Sequence, residues 1–202
     1  MAFKNFKIQK KDGKLFSKIS GDNNKIHLND LYGYNSLFGE NIVHGILLLI
    51  LILSKSNFNQ KTKNLKSYSL RVNLNKPILY NTVIKISENI KLNSLLQILQ
   101  NNLSIGTIAF SNKNIVFEKN FKLFNKKIIK KKRKTKHNRY KINDDLFEIL
   151  CMISKYVGTI YPGEHSLISN ININYNIDLS DNNNCVFYSK KIRGDLPIID
   201  NF

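Results

Sequence analysis

Hydrophobic positions change their period along the chain, and the changes mark its elements. Phe3 to Ile8 alternates apolar and polar residues and predicts a first strand. Lys14 to Ile19 predicts a short helix, stopped by the loop formers Ser20-Gly21-Asp22-Asn23-Asn24. Leu28 to Phe38 predicts a helical stretch broken at Gly33 and Gly39. From Val43 to Lys55 the chain is apolar on every face, which predicts a buried helix. Asn57 to Asn64 is polar and predicts a loop.

Four strand-like segments follow: Tyr68 to Leu74, Thr82 to Asn89, Leu95 to Gln100 and Ser104 to Phe110. Asn, Pro or Gly separates them. Lys126 to Arg139 is a charge run that predicts a solvated loop or linker. The pattern then restarts in shorter form. A helix is expected from Asp144 to Val157 and a strand from Ser166 to Ile177. A turn follows at Asn182-Asn183-Asn184, then a strand from Cys185 to Ile192.

A buried helix followed by successive antiparallel strands makes the fold class α+β, with the sheet wrapped on the helix. The division expected is residues 1–125 as one full unit, 126–141 as a basic linker, and 142–202 as a partial second unit, degenerate or truncated.

Composition narrows this only slightly. The formal charge of +18 is mostly Lys, accompanied by much Asn and Ile, and reads as a codon bias rather than a nucleic-acid signal. No sequence-specific nucleic-acid partner is expected, although a basic surface attracts polyanions without reading any sequence. Cys151 and Cys185 lack any paired spacing, which fits a reducing cytoplasm and argues against a zinc site. The apolar run Ile42 to Leu53 is shorter than the roughly 20 residues a membrane span needs. No signal-peptide pattern opens the chain.

Candidate chemistry sits in Ser20-Gly21-Asp22-Asn23-Asn24-Lys25-Ile26-His27 and in Ile42-Val43-His44-Gly45. Alone, Asp22 and His27 would read as a loop carboxylate and a surface imidazole. Taken with their neighbours, the segment resembles the MaoC-like dehydratase family, which includes the (R)-specific enoyl-CoA hydratases. Ser20, Gly21, Asp22, Asn24, Ile26 and His27 match the family's motif, and Val43-His44-Gly45 follows at its spacing. Arg71-Val72-Asn73 and Lys76-Pro77-Ile78 resemble the family's later strand and turn. The resemblance covers roughly residues 3 to 110. Lys25 stands where the family usually has Pro, and Leu53 where some members carry a helix Ser.

The resemblance implies a hot-dog fold, one full unit plus a partial second hot-dog-like unit. It implies reversible hydration of a trans-2-enoyl thioester to the (3R)-hydroxyacyl thioester, on CoA or acyl carrier protein. Asp22 and His27 would hold the water, and Gly45 would donate its N–H to the thioester oxygen. Asn24 and His44 would shape the loop and the substrate seat. No metal or other cofactor is implied. Hot-dog units pair through their sheets, so a homodimer or a pseudo-dimeric double hot dog is expected. Two other readings stand beside this one. A hot-dog thioesterase would need a helix carboxylate, and Ile46 to Leu53 offers none. A non-catalytic binding module would follow if Lys25 in place of Pro unsettles the loop. Glu164-His165, next to Pro162-Gly163, is titratable, but adjacent residues in a strand face opposite ways.

Overall fold

A helix with no polar face must be covered on all sides, and helix α4 (Gly45–Lys55) is. In the computed structural model, Ile46, Leu47, Leu48, Leu49, Ile50, Ile52 and Leu53 are all buried. The structure describes residues 3–88, 95–112, 125–130, 140–160, 163–164, 166–176 and 184–189.

One side of the helix is covered by an antiparallel sheet. Its strands are β1 (Phe3–Lys7), β2 (Ser67–Leu74), β3 (Val83–Glu88), β4 (Leu95–Gln100), β5 (Leu103–Ser111) and, numbered later in the chain, β7 (Asn170–Asn176). They lie in the order β1-β3-β4-β5-β2-β7. The alternation read from the sequence becomes the inner face. Phe6, Ile84, Ile86, Ile98, Ile108, Leu70 and Val72 all join the core that holds α4. Asn101 and Asn102, with φ of 50° and 61°, form the tight turn between β4 and β5. Asparagine tolerates this left-handed backbone, and the resulting twist suits a two-residue hairpin. β6 (Asn125–Lys130) and β8 (Asn184–Ser189) form a separate antiparallel pair.

The other helices are α1 (Lys10–Ser20), α2 (Lys25–Leu28), α3 (Asp30–Tyr34), α5 (Phe58–Thr62) and α6 (Asp144–Thr159). α6 packs against both α4 and α1. Strand β7 extends the sheet by pairing with β2, Tyr68 opposite Tyr175 and Val72 opposite Ile171. The two tyrosine rings stack 4.9 Å apart. Segment 142–176, expected as part of a partial second unit, thus adds a strand to the sheet and a helix beside α4.

Several boundaries differ from the sequence expectation. α1 begins at Lys10 rather than Lys14, because Asp12 accepts a bond from the Gln9 N–H (2.9 Å) and caps an extra turn. The expected helix from Leu28 to Phe38 is shorter, because the Asn29 side chain accepts from the Tyr32 N–H (3.0 Å) and starts a new helix there. Polar residues 57–64 contain a short helix rather than only a loop. Phe58 anchors it, with its ring edge-on to Tyr68 and Phe110. Residues 125–130, expected as the start of a solvated loop, are a strand paired to β8. A backbone partner so distant in sequence leaves no trace in the local charge pattern. β7 starts at Asn170 rather than Ser166. The rest of the basic run, the ends of the last two expected strands, and His165 lie outside the described residues.

No helix among the described residues is long and apolar enough to cross a membrane. Cys151 is a buried core thiol, its pKa pushed up to about 12 by burial and the nearby Glu148.

Because Leu49 is fully enclosed, Leu49→Ala removes packing that the surroundings cannot restore. A loss of about 2–5 kcal/mol is expected in urea unfolding, with a smaller loss for the half-buried Leu51→Ala. Equal effects at the two positions would contradict the wrapped-helix arrangement.

Candidate active site

Helix α1 ends where the sequence supplies a residue able to turn left-handed. Gly21 has φ 76°, and its N–H donates to the Ser17 carbonyl (2.8 Å). The turn sends Asp22 into the interior, where it is 3% exposed. The Asp22 N–H donates to Ser20 Oγ (3.1 Å), and the Asn24 N–H donates to Asp22 Oδ1 (3.2 Å). Asn24 then caps α2, its Oδ1 accepting from the Ile26 N–H (3.3 Å). Its Nδ2 stays buried without a hydrogen-bond partner.

α2 carries His27 into the same space. The His27 ring meets the Ile42 carbonyl through Nδ1 (2.9 Å). A carbonyl only accepts, so Nδ1 carries the proton and Nε2 presents a lone pair. Asn41 ties the two chain segments together. Its Nδ2 donates to the carbonyls of Ile26 (3.0 Å) and Asn29 (2.7 Å).

His44 stands at the N-terminal cap of α4, and Gly45 opens the helix. The His44 ring lies 4.0 Å from the His27 ring, tilted by 31°, and meets Phe16 edge-on. Tyr80 Oη lies 3.4 Å from His44 Nδ1. Gly45 is half-buried, and a Cβ there would come within 3.1 Å of Leu74 Cδ1. Its N–H belongs to the first turn, where no intrahelical partner exists and the helix dipole favours negative charge.

The structure therefore brings together all five residues singled out from sequence: Asp22, Asn24, His27, His44 and Gly45. Four are buried. Donor atoms of Asp22, His27 and His44 lie within 4.8 Å of one another. Glu164, considered as an acid/base group, is elsewhere. It pairs with Lys25 (3.3 Å) and is half-exposed. The same ion pair ties Lys25, at the start of α2, to the later part of the chain.

Sequence reading missed the contribution of α6. Ser154 Oγ donates to Asp22 Oδ2 at 2.6 Å, a buried bond between residues far apart in the chain. One turn on, Gly158 presses against the same carboxylate: a Cβ there would sit 2.1 Å from Asp22 Oδ1. A hydroxyl beside Asp22 thus comes from α6, while Leu53 on α4 stays in the core. A signal was present. Ser154 and Gly158 continue the buried stripe of Phe147, Leu150 and Cys151 at helical spacing, where an apolar residue is the default.

Burial sets the charge state of both rings. It lowers the His27 pKa below the ordinary 6.5, although Asp22 and the Ile42 carbonyl pull it upward. Burial and then His27 hold His44 well below 6.5, against an upward pull from the Asp22 backbone. Below pH 6.5 the unfolded chain therefore binds protons that the folded chain refuses, and stability rises with pH in that range. The contribution is complete above about 6.5 and is lost as pH falls toward the depressed folded values. Melting temperatures from pH 7.5 down to 5 should fall, and the fall should flatten in His27→Gln/His44→Gln. An unchanged slope in that variant would show that the two rings are not the groups responsible.

No sequence-family model matches the chain, and no curated protein sequence matches it. Among solved structures, the (R)-hydratase of A. caviae involved in PHA biosynthesis is 16% identical, with a TM-score of 0.41. That alignment covers 54% of this chain and 90% of the hydratase. R-hydratase PhaJ1 of Pseudomonas aeruginosa is 21% identical, with a TM-score of 0.39, covering 54% of this chain and 76% of that one. HtdX of Mycobacterium tuberculosis is 17% identical, with a TM-score of 0.47, covering 53% and 46%. The fold rests on the chain's own topology: an antiparallel sheet ordered β1-β3-β4-β5-β2 and wrapped around one buried helix gives this protein a hot-dog fold.

Proposed function

We propose that the protein catalyses reversible hydration of a trans-2-enoyl thioester, with the (3R)-hydroxyacyl thioester as product and CoA or acyl carrier protein as carrier. The observation that carries this reading is the convergence of a buried carboxylate and a buried imidazole at the N-terminus of the wrapped helix.

The chemistry follows from what each atom can do. Asp22 and the unprotonated Nε2 of His27 are both acceptors, so a water between them donates both its hydrogens and aims a lone pair outward. That lone pair attacks the β carbon. One acceptor takes the proton that the water loses and passes it to the α carbon, so the net change is addition of water and the acceptor is restored. Negative charge gathers on the thioester oxygen meanwhile. The Gly45 N–H, backed by the α4 dipole, is the donor suited to it.

Ser154 and the Asn24 N–H each hold one carboxylate oxygen, which fixes the direction in which Asp22 accepts. Asn24 Nδ2, buried and unpartnered, is available to the substrate. The lateral contact of α6 with α4 and of β7 with β2 supports a pseudo-dimeric arrangement within one chain. No step in this scheme calls for a redox group.

Loss of enoyl absorbance on short trans-2-enoyl thioesters tests the proposal directly. Asp22→Asn and His27→Ala should each lower kcat by about 10²–10⁴ with the fold retained. Folded wild-type protein inactive on CoA and carrier-protein thioesters of several chain lengths would overturn the proposal.

Gly158→Ala tests the share taken by α6. The added methyl would displace the Asp22 carboxylate, so kcat should drop at least about tenfold with little change in melting temperature. Full activity in Gly158→Ala would mean that Asp22 need not sit where it does.

A further inference from the structure

The seat assigned to water has a third wall, and that wall is chemically unfinished. His44 is 1% exposed, and its buried Nε2 has no partner of good hydrogen-bond geometry, although the Asp22 backbone lies close to the ring. A buried ring nitrogen left unpaired is destabilising unless a guest satisfies it. His44 belongs to a cluster in which one carboxylate oxygen of Asp22 and one nitrogen from each of His27 and His44 lie within 4.8 Å of one another.

The other polar atoms of these residues are already engaged. His27 Nδ1 meets the Ile42 carbonyl, and His44 Nδ1 lies by the Tyr80 hydroxyl. Asp22 is held by Ser154 Oγ and by the Asn24 N–H. Metal-binding histidines commonly use their second nitrogen in this way, which fixes the ring and directs the first nitrogen at the ion. The rings stand 4.0 Å apart with a tilt of only 31°. Neighbouring positions on an octahedral ion place nitrogens about 3 Å apart, at about 2.1 Å from the metal. The donors, all within 4.8 Å of one another, would close to that spacing on binding.

We propose that Asp22, His27 and His44 form a two-histidine, one-carboxylate site for a divalent first-row transition ion. Two imidazole nitrogens suit zinc, cobalt or nickel, and exclude magnesium and calcium, which take oxygen ligands. The ion occupies the place of the reacting water, so it competes with hydration rather than assisting it. This last consequence rests on the hydratase reading; the binding itself does not.

Titration of chelator-treated protein with Zn²⁺, followed calorimetrically, tests binding without turnover. The background is full-length His137→Asn/His165→Asn, which removes the sequence's other two histidines. One equivalent is expected, with a dissociation constant of roughly micromolar or tighter. His44→Gln should weaken binding at least about tenfold, as should Asp22→Asn and His27→Gln. No binding, or binding that all three substitutions leave unchanged, overturns the site.

Because His44→Gln also alters the packing of a buried position, Co²⁺-loaded protein with native His44 gives a second reading. Two strongly shifted imidazole N–H proton resonances are expected, and their absence also overturns the site. In protein that hydrates enoyl thioesters, one equivalent of Zn²⁺ should abolish activity, and a chelator should restore it. Bound Zn²⁺ that leaves the rate unchanged would refute the shared seat alone. Inactive protein that still binds Zn²⁺ through these residues would refute only the hydratase reading.

Discussion

Everything in this protein is arranged around the need to bury α4 on all sides. A helix of Ile and Leu with no polar face cannot lie on a surface. A sheet can cover one side of it only, because side chains leave a strand alternately upward and downward. The remaining side is closed by α6, which also touches α1. That closure draws the later part of the chain into the core of the earlier part. It also lets β7 continue the sheet beyond β2.

The same constraint creates the site. The N-terminus of a buried helix carries backbone N–H groups without internal partners, and polar groups gather there in an otherwise apolar interior. Asp22, Asn24, His27 and His44 are therefore buried, and most of their polar atoms are satisfied by a network that spans four helices. The two atoms left over, Asn24 Nδ2 and His44 Nε2, both belong to this cluster. Unsatisfied buried groups are costly, so each marks a place where a polar guest would be stabilised. Burial also keeps both rings neutral near pH 7, the form in which an imidazole nitrogen can accept a proton or bind an ion.

α6 changes the account of the chain's second part. Ser154 grips Asp22, and Gly158 leaves just the room its carboxylate occupies. Glu164 meets Lys25 on the rim. Three contacts from one stretch of chain converge on the loop that bears the carboxylate. The later segment is thus a structural part of the site even though it repeats none of the Ser-Gly-Asp motif.

Much of this was legible in the sequence. The α+β class, the buried helix and all six of the sheet's strands followed from local pattern, and the five residues proposed for the site were singled out by motif. These features depend on residues close together in the chain: a glycine able to turn left-handed, a capping asparagine, an apolar run. What tertiary structure alone decided has the opposite character. The pairing of β6 with β8, the partner of Asp22 on α6, the ion pair from Lys25 to Glu164 and the tilted contact of His44 with His27 all join positions distant in sequence. A serine on an apolar stripe shows that a polar partner must exist, but not which one. Only folding brings the distant carboxylate to it, because burial permits no other way to satisfy both.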